Sequence, residues 1–487
     1  MNYDCDICLL IEGGYPYVLG GLASWTDGLI RSLPALRFHV MALIISSQTR
    51  ELRYNLPDNL VGLTEVVLDE SPLGNRFAPP GSISAERFVA DIEAILTSDD
   101  GAAFASLMRA LEGSQLGTRL LLESREAWKA MAHVNQKLLP SAPLLDFFWT
   151  WRFLARSILA VAAAPLPQAR VYHAVSTGYA GLLGARAKCV TGRPFVVTEH
   201  GIYTNERRIE IAAADWIYES GASGYDASRR SGELRDLWLG AFSSFSRIAY
   251  QLSDTITTQF RANQLFQLMD GAPANKLTLI PNGVNLDELL SVSPSPEPRR
   301  PCVLLVGRVV PIKDIRTFIL AIAALKRVIP EVEALIIGPA DEDPGYAAEC
   351  RSLVEQQGLV DTLRFLGRVP DIKTYFGQAD VTALTSISEA QPLALLEAGA
   401  AGLPAVTTDV GSCREILEGP SDDPQREAGG IVVPACDPQA TADALAKILL
   451  DPPLKQRMGA VMRERVSKIY NEARSARMYS ELYRSFA

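Results

Sequence analysis

Short apolar runs alternate with longer amphipathic stretches along most of the chain. The runs in the first half are DICLLI, FHVMALI, VYHAV and PFVVTEH, and those in the second half are CVLLVG, EALIIG, LRFLG, DVTALTS, AVTT and GIVVP. Stretches with helical periodicity, such as DIRTFILAIAALKRVI and ATADALAKILLD, lie between them. This alternation predicts β-α-β units, and therefore an α/β protein with parallel sheets.

The sequence also predicts where the chain divides. Residues 291–301, SVSPSPEPRRP, combine four prolines with no apolar pattern, which is typical of a linker. We therefore expect an N-terminal domain at 1–290 and a C-terminal domain at 301–468. Residues 73–160 are mostly helical in pattern and predict an insertion that serves as a lid or docking surface. The amphipathic helix at 469–487 is expected to pack back on the N-terminal domain.

Composition and charge narrow the function classes. The 48% hydrophobic content is that of a globular protein, and the net charge of −9 argues against nucleic-acid binding. The start, MNYDCDICLLIEGG, has acids where a signal peptide would have bases, so we expect a cytoplasmic protein. The seven cysteines suit a reducing compartment, and Cys5 and Cys8 are expected to pack in a buried strand with their sulfurs on opposite faces. The four histidines are too scattered for a metal site.

Two glutamates eight positions apart raise the main chemical question. In SEAQPLALLEAGAAGLP, Pro392 suits the first position of a helix that Gly402 closes, which places Glu389 in the preceding loop and Glu397 inside the helix. The free N–H groups of such a helix start suit a phosphate. An isolated pair of this kind is more often two ordinary surface carboxylates, so its meaning depends on the rest of the chain.

Other candidate residues follow predicted strands. Arg308 and Lys313, in GRVVPIKD, offer two cations after the first strand of the second half, and the pair Gly20-Gly21 precedes a helix in the first half. His200 ends another strand of the first half. Each signal is weak alone, since exposed loops, tight turns and structural histidines produce the same patterns. Residues 341–343, Asp-Glu-Asp, resemble a metal-binding D-x-D but are expected to form a solvated turn.

The order of these motifs resembles the retaining glycosyltransferases of family 4, which have the GT-B fold. The likeness covers nearly the whole chain, and GRVVPIKD, SEAQPLALLEAGAAGLPAVTTDVG and GIVVPACDP carry it most specifically. More narrowly, EGGYPYVLGGLASW, TEHGIYTNER and TTDVGSCREIL resemble the PelF-like glycosyltransferases of bacterial Pel exopolysaccharide synthesis. The resemblance implies two Rossmann-like domains that face a central cleft.

The resemblance also assigns roles. It implies that Glu389 and His200 lie at the transferred sugar and act in catalysis, and that Glu397 binds the ribose hydroxyls of the donor. The remaining donor-binding positions are Gly20, Gly21, Arg308, Lys313, Arg368, Val369, Leu393 and Ala394. This chain departs from the common family pattern at Ala390-Gln391, where many members have Gly and a bulky residue, and the departure bears on donor-sugar preference.

The implied activity is transfer of a hexose or N-acetylhexosamine from UDP-glucose or a UDP-N-acetylhexosamine to a growing polysaccharide. The family implies no metal and no other cofactor. The implied partners are the UDP-sugar, the polysaccharide acceptor and an inner-membrane polysaccharide synthase complex that recruits the protein to the cytoplasmic face. Two alternatives stay open, a nucleotide-sugar-binding scaffold subunit of such a complex and a UDP-sugar epimerase of the same fold.

Overall fold

The computed structural model describes residues 3–18, 20–47, 50–77, 82–98, 101–212, 234–292, 300–420 and 426–486. It forms two compact units. The first unit contains Met1–Thr258, Asn263–Leu279 and Ser480–Ala487, and the second contains Gln259–Ala262 and Ile280–Tyr479. Most of the predicted linker, residues 293–299, lies outside the described residues.

The first unit is built on a parallel sheet with the strand order β3-β2-β1-β4-β5-β6-β7. Its strands are β1 (Cys5–Glu12), β2 (Phe38–Ile44), β3 (Leu60–Val67), β4 (Ala169–Ala174), β5 (Phe195–Glu199), β6 (Thr255–Thr258) and β7 (Leu277–Leu279). The order reverses between β1 and β4, as in a doubly wound Rossmann sheet. The four strands predicted in this half are confirmed, whereas β3, β6 and β7 were not predicted.

The three missed strands lie toward the sheet edges. β3 is only partly buried and lacks a clear apolar alternation, β6 is the threonine-rich TITT, and β7 has three residues. Gly62 in β3 is required because a Cβ there would lie 2.3 Å from the His39 ring on β2. These strands form because they pair with a neighbouring strand, and such pairing cannot be predicted from the local pattern of apolar residues.

Helices cover the sheet of the first unit. Up to residue 279 they are α1 (Gly21–Ser32), α2 (Ala85–Thr97), α3 (Gly101–Leu111), α4 (Thr118–Leu121), α5 (Arg125–Leu138), α6 (Leu144–Ala163), α7 (Tyr179–Thr191), α8 (Tyr203–Ala212), α9 (Leu234–Leu252) and α10 (Arg261–Met269). Helices α2–α6 occupy the predicted insertion, and α2, α3 and α6 pack on α7 or α9. They place Phe88, Phe104 and Phe147 in one core with the sheet, so the insertion is part of the body of the unit and not a separate lid.

The second unit repeats the architecture with the strand order β10-β9-β8-β11-β12-β13. Its strands are β8 (Cys302–Val306), β9 (Glu333–Ile337), β10 (Leu363–Gly367), β11 (Val381–Leu384), β12 (Ala405–Thr408) and β13 (Gly430–Val433). All six were predicted. Its helices are α11 (Leu286–Leu289), α12 (Ile315–Val328), α13 (Pro344–Gln356), α14 (Lys373–Gln378), α15 (Leu393–Ala400), α16 (Cys413–Glu418), α17 (Pro438–Leu449) and α18 (Pro452–Ile469).

Three helices of the second unit begin with the same dipeptide. Asp343, Asp437 and Asp451 each cap a helix whose first residue is proline, and each carboxylate accepts the amide of the residue three positions on. Aspartate satisfies a free N–H at the helix start, and proline gives up an N–H that would have had no partner. The dipeptide Asp-Pro therefore fixes where α13, α17 and α18 begin.

The last helix, α19 (Glu472–Arg484), ends in the first unit. There the Tyr483 hydroxyl lies 2.7 Å from Nδ1 of His173, a buried residue of β4. None of the helices that the structure describes has the length and apolar character needed to cross a membrane.

Candidate functional site

The strand order of the second unit reverses between β8 and β11, and two candidate residues meet there. Lys313 lies in the 3₁₀ turn Pro311–Lys313 after β8, and Glu389 lies in the loop after β11. The Lys313 ammonium is hydrogen-bonded to the Glu389 carboxylate, which also accepts the Ser386 hydroxyl at 2.6 Å. Ligands of open α/β sheets bind at such a reversal. The carboxylate and the cation thus face the expected ligand position as one pair.

Hydrogen bonds tie the two loops that carry this pair. The Thr385 hydroxyl, at the end of β11, lies 3.1 Å from the Lys313 carbonyl and 3.0 Å from the Asp314 carbonyl. The Ile387 amide donates to the Ile312 carbonyl at 2.9 Å. Because both loops are held by backbone contacts, the positions of the lysine and the glutamate are fixed before any ligand binds.

Arginines 308 and 368 lie after β8 and β10, and both pair with the acidic turn after β9. Arg308 Nη1 is 2.5 Å from a Glu342 oxygen, and Arg368 Nη2 is 3.5 Å from an Asp341 oxygen. All four side chains are half exposed or more, so the pairs contribute little to stability and can be exchanged for a ligand. Asp341 and Glu342 are exposed, as predicted for a solvated turn, whereas Asp343 is half-buried and caps α13. The role of Asp341 and Glu342 as counter-ions to the two arginines was not predicted.

A close backbone approach shapes the floor of this site. Gly338, after β9, has φ of 147°, and a Cβ there would lie 2.0 Å from the Gly307 carbonyl. The Gly307 amide donates to Ile337 at 2.8 Å, and the Val309 amide donates to Pro339 at 2.8 Å. The glycine after β9 is thus what allows the Gly307-Arg308 backbone to lie against its neighbour.

Helix α15 begins one position later than the sequence predicted. Pro392 is the N-cap, with ψ of 110°, and Leu393 is the first helical residue. The prediction that Pro392 is the first helical residue was therefore off by one position. Leu393 and Ala394 supply the first helical N–H groups, next to the Glu389 loop. Gly402, with φ of 85°, follows the helix end as expected.

Glu397 lies in the middle of α15 and differs from Glu389 in its surroundings. Burial raises its pKa to about 7. Within the described part of the chain its carboxylate forms no hydrogen bond or ion pair, whereas the carboxylate of Glu389 has two partners. A partly buried carboxylate without a donor is destabilised in its charged form, and ligand hydroxyl groups would relieve that cost.

The neighbouring departure from the family pattern has a structural role. The Gln391 side chain is buried, and its Oε1 accepts the Asn282 amide at 2.7 Å. Asn282 belongs to the segment that precedes α11. Gln391 therefore anchors a backbone segment within the second unit. Val369, the other candidate residue of the β10 loop, packs partly against the same apolar cluster as α15.

The candidate histidine lies in the first unit, between β5 and α8. His200 packs edge-on against Trp25 of α1, with ring centroids 4.5 Å apart, and its carbonyl accepts Asn263 Nδ2 at 3.1 Å. Burial lowers its pKa to about 3, so the imidazole is neutral at physiological pH. A neutral imidazole can donate or accept one hydrogen bond but supplies no positive charge.

The preceding residue, Glu199, anchors this loop. It is fully buried, and burial raises its pKa. Its carboxylate accepts Tyr250 Oη at 2.5 Å, Gln267 Nε2 at 3.0 Å and the Tyr203 amide at 3.0 Å. The Thr177 hydroxyl donates to it as well, at 3.3 Å. With four donors the buried carboxylate is well satisfied, and it holds the start of α8 against β5.

Gly20 and Gly21 lie where α1 begins, Gly20 as its N-cap and Gly21 as its first residue. Gly20 has an extended φ of 176°, and a Cβ on either glycine would meet nothing within 4 Å. Glycine is required instead at Gly13 and Gly14, directly after β1, where φ is 59° and 66°. In this loop the backbone conformation therefore requires glycine at positions 13 and 14, and not at positions 20 and 21.

A carboxylate that the sequence analysis missed lies at the strand reversal of the first unit. Glu12, the last residue of β1, accepts the Ala180 amide at 2.9 Å, the Ser176 hydroxyl at 3.1 Å and the Tyr203 hydroxyl at 3.0 Å. Its carboxylate thereby binds a free N–H group in the first turn of α7. Its position as an acid at the end of a buried strand was the available signal.

The described residues contain no group of three or more His, Cys, Asp or Glu side chains that could hold a metal ion. Cys5 and Cys8 are free and buried, and burial raises the pKa of Cys5 to about 12. Both cysteines belong to the same buried apolar cluster, so both contribute to the packing of the core. Their thiols are protonated at neutral pH, which suits packing rather than metal binding.

Two family models match the chain. Residues 5–275 match a family described as a domain of unknown function (DUF3492), and residues 290–465 match the family described as glycosyl transferases group 1. The first match covers more than half of the chain. The second spans the unit that holds Lys313, Glu389 and Glu397.

Curated relatives share part of the chain. A phosphatidyl-myo-inositol mannosyltransferase of Mycobacterium leprae is 35% identical over 198 residues, which are 39% of this chain and 48% of the relative. A D-inositol 3-phosphate glycosyltransferase of Saccharomonospora viridis is 30% identical over 243 residues, 47% of this chain and 54% of the relative. The chain thus spans about half the length of the relatives it matches.

Solved structures resemble the whole chain. Sucrose-phosphate synthase of Thermosynechococcus elongatus superposes with a TM-score of 0.60 at 18% identity, covering 99% of this chain and 98% of its own. HepE of Anabaena, solved in complex with UDP, gives a TM-score of 0.60 at 14% identity, covering 99% and 100%. At such identities the likeness establishes the fold, two Rossmann-like domains as in GT-B glycosyltransferases. By its match over residues 5–275 the chain belongs to the DUF3492 family, and its residues 290–465 match the glycosyl transferases group 1 family.

Proposed function

We propose that the protein is a retaining glycosyltransferase that moves a hexose or N-acetylhexosamine from a UDP-sugar to a growing polysaccharide. The observation that carries the proposal is the Lys313–Glu389 pair at the strand reversal of the glycosyl transferases group 1 domain. Arg308 and Lys313 would hold the diphosphate, and the amides of Leu393 and Ala394 would assist them. Glu397 would accept the ribose hydroxyls.

In this proposal the chemistry is electrostatic. Negative charge grows on the diphosphate as the sugar departs, and fixed cations stabilise it. Glu389 would face the positive charge that develops on the sugar ring, while neutral His200 would hydrogen-bond a sugar hydroxyl. A donor containing uracil is supported by the solved neighbour in complex with UDP, whereas one of the relatives is a GDP-mannose-dependent enzyme. The resemblance of EGGYPYVLGGLASW and TEHGIYTNER to PelF-like proteins supports a role in Pel-type exopolysaccharide synthesis with a membrane complex as partner.

Binding and turnover with a panel of UDP-, GDP- and ADP-sugars test this function. We expect a UDP-sugar to bind and to release UDP, and we expect UDP binding to survive EDTA because the cations of the site are protein side chains. Calorimetric titration before and after EDTA treatment measures the first point, and release of the nucleotide diphosphate measures the second. Loss of UDP binding in EDTA, restored by Mg²⁺ or Mn²⁺, would contradict the metal-independent mechanism. Binding without any release or transfer would favour a scaffold subunit.

The affinity for UDP should rise about tenfold between pH 6 and pH 8. Glu397 has a pKa of about 7 in the free protein. Ribose hydroxyls that donate to its carboxylate favour the charged form, so the complex holds fewer protons and binding strengthens as pH rises through 7. Titration of wild type and Glu397→Gln at several pH values measures this. The variant should bind UDP more weakly at pH 8 and lose this part of the slope, while ionisation of UDP itself affects both proteins equally. Equal slopes would remove Glu397 from the site.

A further inference from the structure

Each cation proposed for the donor site has a carboxylate partner in the free protein. The three pairs are Arg308–Glu342, Arg368–Asp341 and Lys313–Glu389. When all six side chains are ionised, the group carries no net charge. A diphosphate that binds here must therefore compete with the carboxylates of the protein for the cations.

The pairs differ in how easily a ligand can replace the carboxylate. The side chains of Lys313 and Glu389 are 19% and 10% exposed, whereas those of Arg308 and Glu342 are 50% and 51% exposed. An exposed ion pair is weak because water solvates both charges. A ligand phosphate can therefore take the place of Glu342 at Arg308 more readily than that of Glu389 at Lys313.

The backbone on both sides of Glu342 is held in place. Before it, the Pro339 carbonyl accepts the Val309 amide at 2.8 Å, and after it Asp343 caps α13 and accepts the Tyr346 amide at 2.9 Å. Glu342 can therefore release Arg308 by rotating its own side chain, while the turn that carries it stays in place. A phosphate bound to Arg308 would have this carboxylate as a neighbour.

Donor and product differ in charge at the phosphate that carries the sugar. In a UDP-sugar this phosphate is a diester with one negative charge. In UDP it is a monoester whose second ionisation has a pKa of about 6, so at pH 8 it carries about two negative charges. Two unit charges about 4 Å apart in water change an equilibrium constant about fivefold, and less once salt screens them. A carboxylate beside this phosphate therefore disfavours UDP more than the UDP-sugar.

We propose that Glu342 is a specificity-determining residue that weakens the binding of the product UDP relative to that of the UDP-sugar, so that UDP leaves the site after transfer. The assignment rests on the proposed transferase function, in which Arg308 holds the diphosphate. Glu342 opposes the binding of both ligands, because it competes with their phosphates for the Arg308 guanidinium. It opposes UDP more strongly, because departure of the sugar adds a negative charge at that guanidinium.

Calorimetric titration of the full chain at pH 8 with uridine, UDP-glucose, UDP-N-acetylglucosamine and UDP compares the wild type with Glu342→Gln. The variant should bind UDP ~4- to 9-fold more tightly and a UDP-sugar ~2- to 3-fold more tightly, with uridine unchanged. At 1 M NaCl, where the Debye length is about 3 Å, most of this difference should disappear. Loss of a merely structural contact would not tighten the binding of one ligand over another. In a turnover assay, the inhibition constant of UDP should fall by the same factor as its dissociation constant.

The matched control is Glu333→Gln. Glu333 is the first residue of β9 and pairs with Arg364 at 2.5 Å, so this variant removes the same charge from a similar Arg–Glu pair at the other end of the strand. A strand of this length puts about 13 Å between its ends, which exceeds the Debye length of about 8 Å at physiological salt. The control should therefore bind UDP as the wild type does.

The outcomes separate this role of Glu342 from the transferase function. If the wild type turns over a UDP-sugar and Glu342→Gln binds UDP no more tightly than the wild type, the role of Glu342 is refuted and the transferase function stands. Equal tightening of UDP and the UDP-sugar, or tighter binding of uridine, would also refute it. If Glu342→Gln tightens UDP binding but no UDP-sugar is bound or consumed, Glu342 opposes UDP as inferred and the transferase function fails.

Discussion

Lys313→Ala is expected to lower the turnover of a UDP-sugar by ~10²- to 10³-fold, the usual cost of losing one electrostatic donor at a developing anion. The loss should exceed the effect on UDP affinity, because the contact strengthens as charge grows on the diphosphate. The variant also leaves Glu389 next to that diphosphate without its cation, which adds repulsion in the transition state. Turnover at saturating donor and the dissociation constant of UDP, measured on one preparation, separate the two effects.

Lys326→Ala is the matched control for this experiment. Lys326 lies in α12, in the same unit, and its ammonium bonds the Gly358 carbonyl at 3.0 Å on the exposed surface. Its loss should leave turnover unchanged. The double variant Lys313→Ala/Glu389→Ala should be far less damaged than the product of the single effects, since the two side chains act as a pair. Turnover by Lys313→Ala within threefold of wild type, or polymer production in cells with Glu389→Ala, would contradict the catalytic role of the pair.

Gly338→Ala should destabilise the second unit by about 3 kcal/mol or more and abolish UDP binding. The residue combines φ of 147° with a backbone approach that leaves only 2.0 Å between an added Cβ and the Gly307 carbonyl. Because that contact is with backbone, it can be relieved only by displacing the Gly307-Arg308 segment. Urea unfolding measures the free energy of unfolding, and UDP titration measures whether the displaced Gly307-Arg308 segment still allows the nucleotide to bind.

Gly358→Ala separates backbone strain from collision. Gly358 also has a positive φ, 65°, but a Cβ there would meet nothing within 4 Å. Its replacement should cost only the ~1 to 2 kcal/mol of a left-handed alanine and leave UDP binding intact. Equal losses of stability in the two variants would show that the collision with the Gly307 carbonyl does not contribute to the destabilisation.

Local signals in the sequence determined much of this protein. Buried parallel strands are continuous apolar runs, so ten strands and the α/β class could be predicted from pattern alone. Asp-Pro dipeptides and Gly402 marked helix ends because capping depends on residues within one turn. Candidate residues could be located because they follow strands, and the carboxyl ends of parallel strands lie at one edge of a sheet.

Tertiary structure decided what those residues contact. The edge strands β3, β6 and β7 exist through pairing and not through pattern, and the insertion joins the core of the first unit. Arg308 and Glu342 are 34 positions apart, and Lys313 and Glu389 are 76 apart, so no local period relates them. The three donors to Glu12 likewise come from elements far away in the sequence, so no local period predicts them. The pKa of Glu397 is raised by burial, which also depends on the tertiary structure. The sequence by itself determined most of the strands and helices, where they end, and which residue types lie at the sheet edge. Only the tertiary structure decided which charged groups are paired and which are buried without a partner. Pairing and burial depend on contacts between elements that are far apart in the chain, and no local pattern records such contacts.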